Sequence, residues 1–381
     1  MKAAARPRPE SAAASQVMMQ AIVQRRYGAT PEDVLRLEQI ARPAMDDDEV
    51  LVRVRAAGVD RGTVHLMTGT PYLMRILGFG LRGPKSPVLG WAVAGTVESV
   101  GTQVTSLEPG DEVFGTCRGS FAQYAVAKAG WLAPKPASLT FEQAAAVPGS
   151  ATTALQALRD QAKLRPGQHV LIIGASGGVG TFAVQLAKAF GAEVTGACRT
   201  EKADLVRALG ADHVLDYTRE DVTAGRHRYD VIIDIGGNRR LAHLRRALAP
   251  GGTLVITGGE DGDALLGGIV RNLHAKLLSP FVSQKLTAFI ARQRRSDLVT
   301  LRDMADSGAV TPAIDRSYPL SLPRPLSATW PKGTPGARSS SASEDRTNPV
   351  LPEPIAGASV TAGGTARVRP VTRADTGLTS H

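Results

Sequence analysis

One stretch constrains this chain more than any other: HVLIIGASGGVGTFAVQLAKAFGAEVTGACRTEK, residues 169–202. VLIIG is a short, continuous, β-branched run, which suits a strand buried on both faces, as in parallel sheets. Val179, Phe182, Ala183, Leu186 and Ala187 then fall on helical spacing, and Gly191 stands where a helix would stop. AEVTGAC reads as a second buried strand. Strand, glycine turn, helix and strand make a βαβ unit. Gly174, Gly177, Gly178 and Gly180, set among Ala175, Ser176 and Val179, leave no large side chain to hold a phosphate off the main chain. The free N–H groups and the dipole of the helix start would then face an anion. The alternative is a tight turn with no ligand. The strand before it and the helix after it favour a dinucleotide site.

The end of this stretch bears on which dinucleotide. Sites for NAD place an acid about 20 residues past the glycines, on the ribose hydroxyls. Here that place reads CRTEK. Arg199 and Lys202 can pair with a 2′-phosphate, so NADPH is expected over NADH. Both cations may equally be read as solvated surface charges, and Glu201 lies between them.

The rest of the chain sets limits. With 381 residues, two or three domains are expected. Lys and Arg number 45 against 35 Asp and Glu, a formal charge of +10 that could suit nucleic acid or an anionic membrane. Part of the excess sits in the basic start and the basic last 60 residues, and aromatics are only 4%, so nucleic acid is not the expected partner. Two distant cysteines, Cys117 and Cys198, exclude a disulfide framework and fit a reducing, cytoplasmic setting. No apolar run approaches the ~18 residues of a membrane span. Residues 1–16 lack the apolar core of a secretory signal.

From Gln20 to about Ala133, short strands alternate with turn signals, as in a sandwich or barrel. TFEQAAAVPGSATTALQALRDQA then reads as helical, with Thr140 at its N-cap. Past the βαβ unit, HVLDY, YDVIIDIGG and GTLVITGG read as strands separated by helical stretches, and AVTPAIDRSYPL as one more strand. This alternation implies a doubly wound parallel sheet. From about Leu322 the chain is dense in Pro, Gly, Ser and Thr without sustained periodicity, and disorder is expected.

These motifs, in this order, resemble the medium-chain dehydrogenase/reductases, and in particular their zinc-independent quinone oxidoreductase and NAD(P)-dependent alcohol dehydrogenase-like branch. The resemblance covers about residues 19–321. It implies an α/β fold: a GroES-like β-barrel catalytic domain (18–148) and a Rossmann doubly wound sheet (149–308), with the active site between them. A disordered start (1–17), a return strand to the catalytic domain (309–321) and a disordered tail (322–381) complete the expected organisation. It further implies that 174–180 hold the pyrophosphate, that Lys202 and Tyr217 hold the 2′-phosphate, that Thr153 lies near the nicotinamide, and that Thr257 and Gly258 line the cofactor's other half. Tyr217 packing on the sheet and Thr153 bonding its own helix are the competing readings.

Zinc-dependent relatives carry GHE where this chain reads LGWAVAG. Trp91 and Ala92 cannot ligate, Asp60 replaces the usual cysteine, and the four-cysteine lobe is missing. Zinc needs three or four converging ligands, and only His65 and Cys117 remain as isolated candidates, so no metal is expected. Hydride transfer to a quinone or α,β-unsaturated carbonyl needs none, because hydrogen-bond donors can stabilise the developing oxyanion. Asp60 and Thr63 stand where zinc-free relatives often carry N-x-x-D. Asp60 is a candidate proton relay, or a residue that caps its own loop. Tyr72, Met74 and Phe79, with Ile76 and Leu77, would form an apolar pocket wall or a packed lid.

At the C-terminus the chain departs from the family, whose closing helix and strand are not recognisable after Ser321. A changed reading frame near this residue would explain the shift, and a missing closing strand would leave an unpaired sheet edge. Two alternatives to an active reductase follow: a same-fold NADPH sensor or nucleic-acid-contacting protein, and an inactive product. Pairing into a homodimer is a further expectation of the resemblance.

Overall fold

The computed structural model describes residues 17–223, 225, 227–237, 239–258, 268–320 and 358–361. The expected disordered start and most of the expected tail lie outside them.

The N-terminal half is β-rich, as the alternating pattern requires. Strand β1 (Met18–Gln24) pairs antiparallel with β2 (Leu35–Ala41), with the short helix α1 (Pro31–Val34) before β2. The long strand β3 (Glu49–Val59) alternates strictly at its centre: Val50, Val52 and Val54 are buried, while Arg53 and Arg55 face solvent. Helix α2 (Arg61–Thr68) follows directly. Strands β4 (Ala92–Val100), β5 (Glu112–Thr116), β6 (Tyr124–Lys128) and β7 (Leu132–Pro134) complete this half. One edge of β3 pairs along its length with β4, and the other pairs with β6 over 49–53. Phe114 and Phe121 are wholly buried in this domain, each a burial of roughly 2–3 kcal/mol.

Helix α3 (Phe141–Gln156) joins the halves. Thr140 caps it as expected: its hydroxyl accepts from Gln143 N at 3.3 Å, and the Gln143 side chain accepts from Thr140 N at 3.0 Å. Buried residues of α3 belong to one apolar cluster with β3, β4 and β5 on one side and with the parallel sheet on the other. The helix therefore clamps the two domains together.

The second half alternates strands and helices: β8 (His169–Ile173), α4 (Gly178–Ala189), β9 (Glu193–Cys198), α5 (Ala203–Ala208), β10 (His213–Asp216), β11 (Tyr229–Asp234), α6 (Leu241–Ala247), β12 (Leu248–Ile256), α7 (Ile269–Leu278), β13 (Lys285–Ala288) and α8 (Arg295–Asp306). The six strands form one parallel sheet in the order β10-β9-β8-β11-β12-β13. Val170 and Ile172 pack into one apolar cluster and Leu171 and Ile173 into the other, so β8 is buried on both faces. The order reverses between β8 and β11. In such sheets the ligand crevice opens beyond the carboxyl ends of the strands at this switch point, and the glycine turn sits there.

Strand β14 (Arg316–Pro319) is the return strand, and β15 (Ala358–Thr361) lies between it and β3. β15 pairs antiparallel with 56–59 of β3, beyond the reach of β6. The expected unpaired edge is thus closed by a short segment of the tail itself. Its small, β-branched sequence ASVT allows a strand that the aperiodic surroundings conceal.

Candidate functional site

The glycine turn has the geometry its composition requires. Gly174 closes β8 at φ 88°, a left-handed conformation open to glycine, and the N–H groups of Gly174 and Ala175 both donate to Ala197 O, at 3.1 and 3.0 Å. Gly177 is the N-cap of α4, so the N–H groups of Gly178, Val179 and Gly180 have no acceptor within the helix. A Cβ at Gly180 would sit 2.0 Å from Gly174 O, and one at Gly178 would sit 2.9 Å from Ser150 Oγ. Glycine here lets α4 pack hard against β8 and α3. Ala175 and Ser176 are buried, and Val179 packs on the core.

The residues expected at the adenosine 2′-phosphate lie at the ends of β9 and β10. Arg199 Nε donates to the Tyr217 hydroxyl at 2.9 Å. Lys202 Nζ lies 4.0 Å from Asp315 Oδ1, in the segment leading to β14. Tyr217 also packs on the apolar cluster of the sheet, as its competing sequence reading expects.

At the other end of the crevice, β12 delivers Thr257 and Gly258. The Thr257 hydroxyl oxygen is buried and has no hydrogen-bond partner among the described residues. A buried hydroxyl without a partner is costly unless a ligand supplies one. A Cβ at Gly258 would lie 1.8 Å from Ile235 O, so the two strand ends touch through bare main chain. The hydroxyl of Thr153 is already engaged, donating to Gly149 O at 2.9 Å. These features fit a dinucleotide, with its pyrophosphate on the first turn of α4 and its far half beside Thr257.

On the other domain, Asp60 is the N-cap of α2. Its Oδ1 accepts from Thr63 N at 2.9 Å, from the Thr63 hydroxyl at 3.1 Å and from Trp91 Nε1 at 3.1 Å. The capping role read from the sequence is therefore present, with Thr63 as its partner. Burial pushes the Asp60 carboxyl above the ordinary range, against the opposing pull of the Thr63 and Trp91 bonds. Trp91 and Gly149 complete this cluster, and sequence reasoning missed both as neighbours of Asp60. A Cβ at Gly149 would lie 2.6 Å from Asp60 Oδ2 and 2.9 Å from the indole ring.

The lid departs from a packed wall. Arg75 staples its base, donating from Nε to Gly69 O at 2.8 Å and stacking on Tyr27 and Tyr72. Beyond it, Tyr72 and Phe79 are 43% and 44% exposed, and Ile76 and Leu77 about 70%. Met74 alone of the three named pocket residues is partly covered. Gly78 and Gly80 take φ 124° and 111°, and the Tyr27 hydroxyl donates to the carbonyls of Phe79 and Gly80 at 2.9 Å, so the backbone of the lid is held while its apolar side chains stay exposed.

Among the described residues no three His, Cys, Asp or Glu side chains converge on a point a metal could occupy. His65 Nδ1 is 2.7 Å from Thr70 O, and Cys117 is buried with its thiol pushed up by desolvation. The donor set does not fit zinc. Also among the described residues, no helix is long and apolar enough to cross a membrane.

A barrel-like domain joined by a helix to a doubly wound sheet, with a glycine turn at the switch point, defines a two-domain oxidoreductase of the dinucleotide-binding kind. The alcohol dehydrogenase GroES-like domain family matches residues 46–137, and the zinc-binding dehydrogenase family matches 178–282. The chain is 33% identical over 340 residues to the mitochondrial NAD(P)H oxidoreductase RTN4IP1 of Mus musculus, covering 81% of this chain and 85% of that one. It is 35% identical over 255 residues to the quinone oxidoreductase of Sus scrofa, covering 65% and 75%. The solved quinone oxidoreductase of Coxiella burnetii superposes with a TM-score of 0.74 at 23% identity, over 91% of this chain and 99% of that one. The chain belongs to the medium-chain dehydrogenase/reductase superfamily, and its relatives use a nicotinamide cofactor.

Proposed function

We propose that this protein is an NADPH-dependent, zinc-independent reductase of quinones and α,β-unsaturated carbonyls. The glycine turn at the sheet's switch point is the observation that carries the reading, since it offers uncapped N–H groups to a diphosphate. In this reading residues 18–148 hold the substrate, 149–308 hold the cofactor and 309–321 return to the first domain. The preference for NADPH rests on Arg199, Lys202 and Tyr217, which stand together where an NAD site would carry an acid.

When bound, NADPH supplies the hydride. The Gly174–Gly180 turn would hold its pyrophosphate, and Thr257 and Gly258 would line its other half. Thr153, its hydroxyl bonded to Gly149 O, would stand near the nicotinamide. As negative charge grows on the substrate oxygen, Asp60, supported by Thr63, would deliver the proton. Zinc independence is supported by the donor set, in which Trp91 bonds Asp60 where relatives carry ligands. In this reading the apolar side chains of Tyr72, Met74 and Phe79 would cover a bound hydrophobic carbonyl, although Tyr72 and Phe79 stand exposed in this structure. A quinone is itself an enone conjugated in a ring, so one site serves both classes.

The two buried, unbridged cysteines support a reducing compartment such as the cytoplasm. The sheet ends on β13, whose outer edge supports pairing with a second copy. Steady-state assays with quinones and cyclic enones, run with NADPH or NADH after exhaustive chelation, test the proposal. Turnover with NADPH that survives chelation supports it. Binding of NADPH without turnover on either class overturns it.

A further inference from the structure

The proposed reductase needs its proton donor aimed, and a carboxyl on a flexible side chain is not aimed by itself. Asp60 Oδ1 is saturated by three donors: Thr63 N, the Thr63 hydroxyl and Trp91 Nε1. Oδ2 accepts no hydrogen bond among the described residues and points towards Gly149 of α3, where only a missing side chain makes room for it. Trp91 is itself fixed. Its carbonyl accepts from Cys117 N at 2.8 Å, and it follows Gly90, held at φ 92°. The Cα hydrogen of Gly149 and the indole thus wall in one carboxyl oxygen between the two domains.

We infer that Trp91 is a positioning residue: its indole N–H pins Oδ1 of Asp60, so that Oδ2 carries the transferable proton, held beside Gly149 at the seam between the domains. This inference rests on the reductase reading. In the reaction the substrate carbon takes hydride with its two electrons, and the carbonyl π pair moves onto oxygen. The Oδ2–H bond of Asp60 breaks, its proton passes to that oxygen or to the α-carbon, and the carboxylate is reprotonated by water. The donor must be protonated beforehand, and burial favours that form while the Trp91 bond opposes it.

The groups facing Asp60 are few. On its own helix are Arg61 and His65, the latter held below its ordinary range by desolvation. The facing residues just before β4 and within α3, Trp91 and Gly149, carry no titratable group. A smaller ring at Trp91 admits water and lowers the titration of Asp60, so an upward movement is attributable to the lost N–H.

The test pairs two readouts on the full chain. In W91F an aromatic ring remains, while the N–H and part of the ring volume are lost. The carboxyl titration of Asp60, followed by carbon-13 NMR of labelled aspartate, should move up by about one pH unit, the size of one charge-assisted hydrogen bond. The alkaline limb of the kcat profile should move with it, kcat should fall roughly tenfold at the optimum, and the KM for NADPH should hold. D60N should abolish that limb, and it covers the case in which W91F does not fold. An unmoved titration in W91F, or a titration that moves while the kcat limb stays, overturns the inference. So does an alkaline limb that persists in D60N. The NMR arm needs no turnover: if the wild type reduces nothing, the reductase reading has failed while the Trp91–Asp60 linkage is still decided.

Discussion

Arg199 Nε donates to the Tyr217 hydroxyl at 2.9 Å, tying the end of β9 to the turn after β10. These residues are far apart in sequence, and each alone reads as ordinary surface. With Lys202 three residues past Arg199, they make up the site proposed for the 2′-phosphate. R199A should raise the Kd for NADPH about tenfold or more, in line with loss of a charge-assisted phosphate contact, while leaving NADH binding nearly unchanged. Fluorescence titration with both nucleotides checks this, and equal loss for both would assign Arg199 a structural role.

Gly180 is the tightest point of the turn. Its replacement by Ala drives a methyl to within 2.0 Å of Gly174 O, which is backbone and cannot rotate away. G180A should lose about 1–3 kcal/mol of stability and most of its nucleotide affinity. Thermal melts with and without NADPH read both effects.

Much of this turn was legible in the sequence, because a buried strand, glycines and an amphipathic helix each leave a periodic trace. The Asp60 cluster was not. Asp60 and Trp91 lie on different elements, and only the antiparallel pairing of β3 with β4 brings them within 3.1 Å. Gly149 looks like a mere weak point in α3 until its neighbours are known. The short strand β15 was also hidden, since four residues in a Pro- and Gly-rich tail give no period to read. The lid was read from its apolar content either as a pocket wall or as a packed lid, and that content does not say how exposed its side chains stand.

Asp60 should make stability fall as pH rises. Its folded-state pKa is raised by burial, so the folded form keeps its proton to a higher pH than the unfolded chain does. The unfolded state therefore binds fewer protons above about pH 4, its unperturbed range, and stability declines until the folded form also ionises. D60N retains an N-cap acceptor and removes this decline. Chemical denaturation of both proteins from pH 4 to 8 should show the difference widening with pH; a constant gap would contradict the burial.

Asp297 of α8, 1% exposed, anchors the far side of α3. It accepts from Gln156 Nε2 and from Arg159 Nη2, each at 2.7 Å. D297A should destabilise the fold by about 1–2 kcal/mol by removing both bonds, since Gln156 Nε2 keeps its bond to Arg292 O and Arg159 its pair with Asp160, without changing the nucleotide preference. Urea melts and NADPH titration together separate the two effects.

The central claim is that the turn from Gly174 to Gly180 binds the diphosphate of a nicotinamide dinucleotide. Isothermal calorimetry of the folded full chain with NADPH and NADH tests it most directly. The account predicts saturable heat for one site per chain, tighter for NADPH, and lost in G180A. Folded protein that gives no heat with either nucleotide would contradict it.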